Sequence, residues 1–283
     1  MRVLWPALFR LNQFTSLKAL RFSFREGYRE CRRLGGTQPS PHFLVQKAVI
    51  ASIASDPYPS TVKSLSLTNV VGVEDNAFES SAFQTVVSSL QSLSISTIAL
   101  EYESGCDFQL RHWYNAFWQS TIPKRFLVPA ESSLTSLSLG SDVLIGPIDE
   151  FNINHYFFPR LSSLKLSHFL FCWCPVDEFI LKHKATLQKL ELRNCEMYVS
   201  HLSARSSAPP RHWSDVYNNF QAQLTKLEEL MVVTSTWRNE FHGLLYSEMG
   251  DESDFYQVEL EEESEKDATA LEELRAAVAS RTL

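Results

Sequence analysis

One local pattern, apolar-x-x-apolar-x-apolar, recurs seven times in this chain of 283 residues and constrains its fold more than any other feature. The copies are Leu17/Leu20/Phe22, Val62/Leu65/Leu67, Leu90/Leu93/Ile95, Leu134/Leu137/Leu139, Leu161/Leu164/Leu166, Leu187/Leu190/Leu192 and Leu227/Leu230/Val232. Alternation puts Leu65 and Leu67 on one side of an extended strand, with Ser64, Ser66 and Thr68 on the other. A strand of this kind cannot bury its apolar side alone, so the copies are expected to pair side by side over one shared core. The steps between their starts are 45, 28, 44, 27, 26 and 40 residues. The short steps leave about 15 residues for the return, enough for a helix and for parallel pairing; the long steps carry insertions.

The return segments read as helices. His42 to Ala54 places Phe43, Val49, Ile50 and Ile53 on one side, and Asn76 to Ser89 does so with Phe78, Ala82, Val86 and Leu90. Pro175 suits the first turn of a helix that continues through Phe179, Ile180 and His183. Ser214 is the expected N-cap before Val216, Tyr217 and Phe220. The triplet Arg-His-Trp occurs at 111–113 and again at 211–213, each time followed by aromatics at helical spacing. Both Trp113 and Trp213 are expected to anchor a helix onto the sheet.

This pattern resembles the leucine-rich repeat family, whose periods run about 20–29 residues with a core L-x-x-L-x-L-x-x-N/C. The resemblance spans roughly residues 14–235. It implies an α/β leucine-rich repeat solenoid: a curved parallel sheet on the concave face, with helices and irregular inserts on the convex face. The ninth position, Asn or Cys in the family, holds Arg25, Val70, Ile98, Asp142, Phe169, Cys195 and Ser235 here, so only Cys195 fits. Positions three, five and seven would face the concavity, where repeat proteins bind partners. They are Ser64, Ser66, Thr68, then Ser92, Ser94, Ser96, then Ser136, Ser138, Gly140 in the middle, and they become charged toward the C-terminus. The expected partner-binding residues are Lys165, Lys189, Glu191 and Arg193.

The charge is divided along the chain. Residues 1–247 carry a net +2 and residues 248–283 a net −9, while the first 36 residues alone carry +6. The reading is a repeat domain over 1–247 and an acidic tail over 248–283 that is partly disordered, with a short helix at 268–280 bearing Leu271, Leu274 and Val278 on one stripe. That helix either caps the last repeat over Leu230 and Val232 or is a free interaction helix. The basic start, with Phe22, Phe24 and Tyr28 interleaved, overlaps the first repeat in an acidic chain and does not point to nucleic acid. Contact between Arg29–Arg33 and 259–265 is a further expectation.

Five cysteines and no export signal favour reduced thiols and a cytoplasmic or nuclear protein. No run of apolar residues is long enough to span a membrane. No G-x-S-x-G, H-E-x-x-H or phosphate-cradling loop occurs. Cys172-Trp173-Cys174 has no second cysteine pair at ligand spacing, so neither catalytic residues, metal nor cofactor is expected.

Segments 157–169 and 184–197 resemble the repeat part of F-box proteins abundant in filamentous fungi. The resemblance implies a substrate receptor of a cullin-based ubiquitin ligase: a protein that holds a ubiquitination substrate on its repeats. The F-box itself needs more helical sequence than the 16 residues before Leu17 supply, so docking to the cullin adaptor is not carried over. The expectation is a non-catalytic protein-protein interaction scaffold. The alternatives are a stand-alone repeat binding protein unconnected with ubiquitin and an enzyme with an unrecognised site.

Overall fold

The computed structural model describes residues 13–14, 16–24, 41–55, 61–98, 113–146, 151–171, 176–198, 211–234, 245–249, 255–258 and 261–281. Contacts gather into two compact units, Met1–Val143 and Leu144–Leu283, where the sequence reading drew one repeat domain to residue 247. Both units are α/β, and their strands are mostly parallel.

In the first unit β1 (Ala19–Ser23), β2 (Ser64–Val71), β3 (Ser92–Ile98) and β4 (Ser136–Ile145, its last two residues in the second unit) pair in chain order, all parallel. The register sets Leu20 beside Leu65, Leu65 beside Leu93 and Leu93 beside Leu137. Leu65, Leu67, Leu93, Ile95, Leu137 and Leu139 are buried, while the serines between them stay half-buried on the open face. That alternation is why the segments are strands and why each must sit beside another.

Helices cover the buried face. α1 (Pro41–Ile53) buries Val49, Ile50 and Ile53. Its Gln46 accepts from the Val71 N–H at 2.8 Å and donates to the Val71 carbonyl at 3.0 Å, so a side-chain amide closes the end of β2. α2 (Ser81–Ser88) is capped by Ser80, which accepts from the Phe83 N–H at 3.2 Å. Phe83 and Val87, rather than the expected Ala82, join Val86 on its buried side. α3 (Phe117–Leu127) is wound as a wide π-helix, the Val128 N–H reaching back to the Pro123 carbonyl. Pro123 within it has no N–H to give to an α-type bond, and its ring would crowd the carbonyl four residues back, so regular α winding is disfavoured there. Phe78, Phe83 and Phe126 meet edge to face at 5.3–5.5 Å between ring centres and fill the space behind the strands.

The expected anchoring role of Trp113 fails. Trp113 is 45% exposed, and Tyr114, Phe117 and Trp118 face the core instead. Trp213 does anchor its helix, fully buried 4.7 Å from Phe171. The two triplets therefore differ in helical phase. Arg111 and His112 lie outside the described residues.

In the second unit β5 (Ser163–Phe171), β6 (Lys189–Arg193) and, beyond the short β7 (Glu196–Tyr198), β8 (Glu229–Val233) form the parallel order β5-β6-β8. β7 pairs with the end of β5 and with β9 (Leu245–Met249); β10 (Phe255–Val258) returns antiparallel on β9. Leu164, Leu190 and Leu230 stand in register, as do Leu166, Leu192 and Val232. Three helices pack here: α4 (Val176–Lys182), α5 (Trp213–Gln223) and α6 (Glu261–Ser280). Pro175, Cys172, Trp173 and Cys174 lie outside the described residues, as do Arg29–Arg33 and the side chains of 259–264.

The acidic segment is more structured than its composition suggested. It holds the end of β9 and all of β10, and α6 begins at Glu261, seven residues before the expected start. Glutamate is a good helix former, and acidic side chains suit a helix N-terminus, so EEESEKD extends the helix. Ala270, Leu271, Leu274 and Val278 are buried against α5 and β8. Leu230 and Val232, the residues expected beneath this helix, remain half-exposed.

Polar contacts at both ends fix α6 to α5. The Asp267 carboxylate, buried, accepts from the Ser214 N–H at 2.7 Å, in the first turn of α5. Arg281 donates to the Leu224 carbonyl at 2.7 Å and the Gln221 carbonyl at 3.2 Å, at the other end. An anion at the amino end and a cation at the carboxyl end both complement the α5 dipole and its unpaired backbone groups. Ser214, the expected N-cap, thus lies inside the helix; His212 takes that position, its N–H donating to Asp215 at 3.2 Å.

Asp267→Ala is expected to destabilise the protein by about 1–2 kcal/mol and Arg281→Ala by about 1 kcal/mol, the two adding in the double variant because the sites are far apart. Urea denaturation checks this. Deleting 268–283 should lower the melting temperature further, since it uncovers the apolar side of α5.

Candidate functional site

The four sequence-predicted residues come together on the open face of β5-β6-β8. Alternation points Ser163, Lys165 and Ser167 outward from β5, Lys189, Glu191 and Arg193 from β6, and Glu229, Met231 and Val233 from β8. The register makes rows across the strands: Ser163-Lys189-Glu229, Lys165-Glu191-Met231, and Ser167-Arg193-Val233.

Opposite charges meet within these rows. Lys165 lies 3.1 Å from the Glu191 carboxylate, and Arg193 donates to the same oxygen. Lys189 pairs with Glu229 at 2.5 Å. The Arg193 guanidinium also reaches the Met231 sulfur at 3.6 Å. Burial pushes the Glu191 carboxyl up, but hydrogen bonds and charges from Arg193 and Lys165 outweigh it, and the net pKa is below the ordinary carboxylate value. Glu191 therefore acts as the fixed anion that orders two flanking cations.

The face is bounded by α6. Arg275, Val278 and Ala279 join Lys165, Lys189, Glu191, Glu229, Leu230 and Met231 around a groove of about 520 Å³. Met231 is 48% exposed there, an apolar side chain among charges. The helix that covers the end of the sheet is thus also a wall of its groove, which the sequence reading did not foresee. Arg193 stands beside the groove rather than in it. In the first unit the corresponding face carries Ser64, Ser66, Ser92, Ser94, Ser136 and Ser138, in register from strand to strand.

A second feature was missed because the ninth motif position was examined instead of the eighth. The eighth residues are Asn69, Thr97, Ser141, His168, Asn194 and Thr234 in copies two to seven. Asn69, His168 and Asn194 adopt φ of 59°, 59° and 47°, the left-handed region that Asn and His tolerate better than most residues. Asn69 donates to the Phe24 carbonyl at 3.0 Å on one neighbouring strand, and Asn194 lies 3.2 Å from His168 Nε2 on another. Thr97 accepts from the Trp118 indole at 3.2 Å, and the Tyr114 hydroxyl donates to Ser141 at 2.6 Å. Polar side chains at this position tie the ends of several strands to a neighbouring strand or to the helical segment that holds Tyr114 and Trp118. The ninth-position Cys195 is buried and sits 3.6 Å from the Leu166 carbonyl. Burial pushes its thiol up to about 12.

Glu191 contributes stability that is fully present above its unfolded pKa, about 4.3, and lost as pH falls through its lower folded value. Glu191→Gln should reduce stability at neutral pH by less than about 1 kcal/mol, because the groups are part-exposed and solvent screens them, and should flatten the acid limb of the stability profile. Unfolding titrations at several pH values, beside carboxyl carbon NMR, measure both effects.

Among the described residues, no group of three or more His, Cys, Asp and Glu is arranged to hold a metal ion, and no helix is long and apolar enough to cross a membrane. No family model matches the chain, and no curated protein matches it.

Proposed function

We propose that this chain is a non-catalytic interaction scaffold of the leucine-rich repeat type, which holds a protein partner on its open sheet face. The observation that carries this reading is the register: within each unit the recurring leucines of neighbouring copies stand beside one another, and the residues between them form rows on the open face. Rows of this kind on a concave sheet are how repeat proteins present a surface to a partner. The rows of the first unit carry serine hydroxyls and those of the second an ordered set of charges, in which Lys165, Lys189, Glu191 and Arg193 are the residues that would fix a partner's orientation.

The resemblance to the repeats of F-box receptors makes a ubiquitination substrate the first partner class to test. The second reading, a binding protein unconnected with ubiquitin, keeps the same surface. A binding assay with purified cullin adaptor tests the first: capture favours the receptor reading. In either case Lys189→Glu combined with Arg193→Glu is expected to weaken an isolated partner by at least about tenfold, or 1.4 kcal/mol. The readout is calorimetry with a variant whose melting temperature matches the parent. Unchanged affinity would remove these residues from the site.

A further inference from the structure

His183 follows the last turn of α4, and its imidazole is 1% exposed. Nδ1 lies 2.8 Å from the Phe179 carbonyl, one turn back. On the other side Nε2 accepts from the Phe158 backbone N–H at 3.0 Å. A carbonyl facing one nitrogen and an N–H facing the other select the neutral ring protonated on Nδ1. The imidazolium carries protons on both nitrogens, so its Nε2–H would oppose the Phe158 N–H. Phe157 and Phe158 stack on the ring with centres at 5.4 Å and 6.0 Å, and Phe179 meets it edge-on at 4.7 Å.

The same residue organises the leads into two strands. The His183 carbonyl accepts from the Thr186 and Leu187 N–H groups, each at 2.9 Å, in the turn that runs into β6. The Phe158 carbonyl accepts from Leu161 at 3.0 Å in the turn that runs into β5. The two leads then meet directly, the Gln188 and Lys189 N–H groups sharing the Ser162 carbonyl at 2.8 Å and 2.9 Å. β5 carries Lys165, and β6 carries Lys189 and Glu191.

We propose that His183 is a pH-operated latch between the leads into β5 and β6. The neutral ring holds the Phe158–Leu161 turn closed, and protonation releases it, loosening the strand ends that set Lys165 against Glu191. Only this effect on the groove rests on the partner-site reading; the latch itself does not.

The charged surroundings favour the neutral state. Burial pushes the His183 pKa down; the hydrogen bond to Phe179 opposes this, and the Lys182 charge on its own helix adds to it, leaving the value below that of an ordinary histidine. The other charged groups of α4 are engaged elsewhere, Asp177 with Arg211 at 2.5 Å and Glu178 with Asn154 at 2.9 Å. Lys184 bonds Gln223 of α5 at 3.2 Å, and Asp215 of α5 holds the His212 N–H. The segment facing the ring carries His155, Tyr156 and Arg160, and none of these is hydrogen-bonded to it; its two partners are Phe158 and Phe179. The released state takes up a proton more readily than the closed one. The latch is therefore closed at neutral pH, and its closure weakens progressively as pH falls below the ordinary histidine value of about 6.5.

The test uses the full chain without any partner. Nitrogen NMR of the His183 ring and hydrogen exchange of the Phe158 amide are followed from about pH 7.5 to pH 5. Expected are the Nδ1–H tautomer at neutral pH and a loss of Phe158 protection, corrected for the intrinsic pH dependence of exchange, of at least about tenfold toward pH 5. His183→Gln, which cannot titrate, should abolish that pH dependence. Flat protection in the parent protein, or the same dependence in the variant, overturns the latch. Should the variant not fold, the parent decides alone: coincident midpoints for ring protonation and amide release support the latch, and separate midpoints overturn it. Neither readout involves partner binding, so a failed latch leaves the groove reading untouched, and a failed groove leaves the latch.

Discussion

The whole arrangement depends on side-by-side burial of leucines that no single strand can shelter. Leu65 and Leu67 are nearly solvent-free because Leu93 and Ile95 lie against them in register. The side-chain period of a strand is two, so a slip of one residue would turn these leucines out and drive Ser64 and Ser66 into the core. The register is therefore enforced by the hydrophobic effect wherever both partners are buried. The orderly rows on the open face follow from it without any attraction among themselves.

Where the rows end, other forces take over. The outermost strand of the second unit has β6 on one side, and α6 comes to it from a distant part of the chain. Four buried apolar residues give that helix a modest hydrophobic hold. Asp267 and Arg281 add orientation, since each finds its partner only when α6 runs alongside α5 in the same direction. Parallel neighbouring helices set like ends of their dipoles together, which is unfavourable, and a carboxylate at one end with a guanidinium at the other offsets that repulsion. The groove beside Lys189 inherits its wall from the same contacts.

How much of this could be read from the sequence follows from the range of each interaction. All seven motif copies are strands, because alternation is a local property expressed within six residues. The outward direction of Lys165, Lys189, Glu191 and Arg193 was legible for the same reason. Their pairing was not: Lys165 meets Glu191 only because a 26-residue step places the two strands in one row. The N-cap of α5 was misplaced by two residues because the acceptor for the Ser214 N–H comes from Asp267, 53 residues away. Trp113 and Trp213 share a triplet but not a helical phase, and phase is set by what the helix covers. The eighth-position polar residues are visible in the sequence, yet their role depends on a left-handed backbone turn and on a neighbour across the sheet.

Cys195 shows what deep burial does to chemistry. Burial pushes its thiol up to about 12, so the sulfur stays protonated and unreactive at neutral pH. The residue is fully buried just past the end of β6, its sulfur 3.6 Å from the Leu166 carbonyl of β5. Its modification thus requires the strand ends to part. The rate at which this sulfur is labelled is a clock for the breathing of the β6–β7 corner.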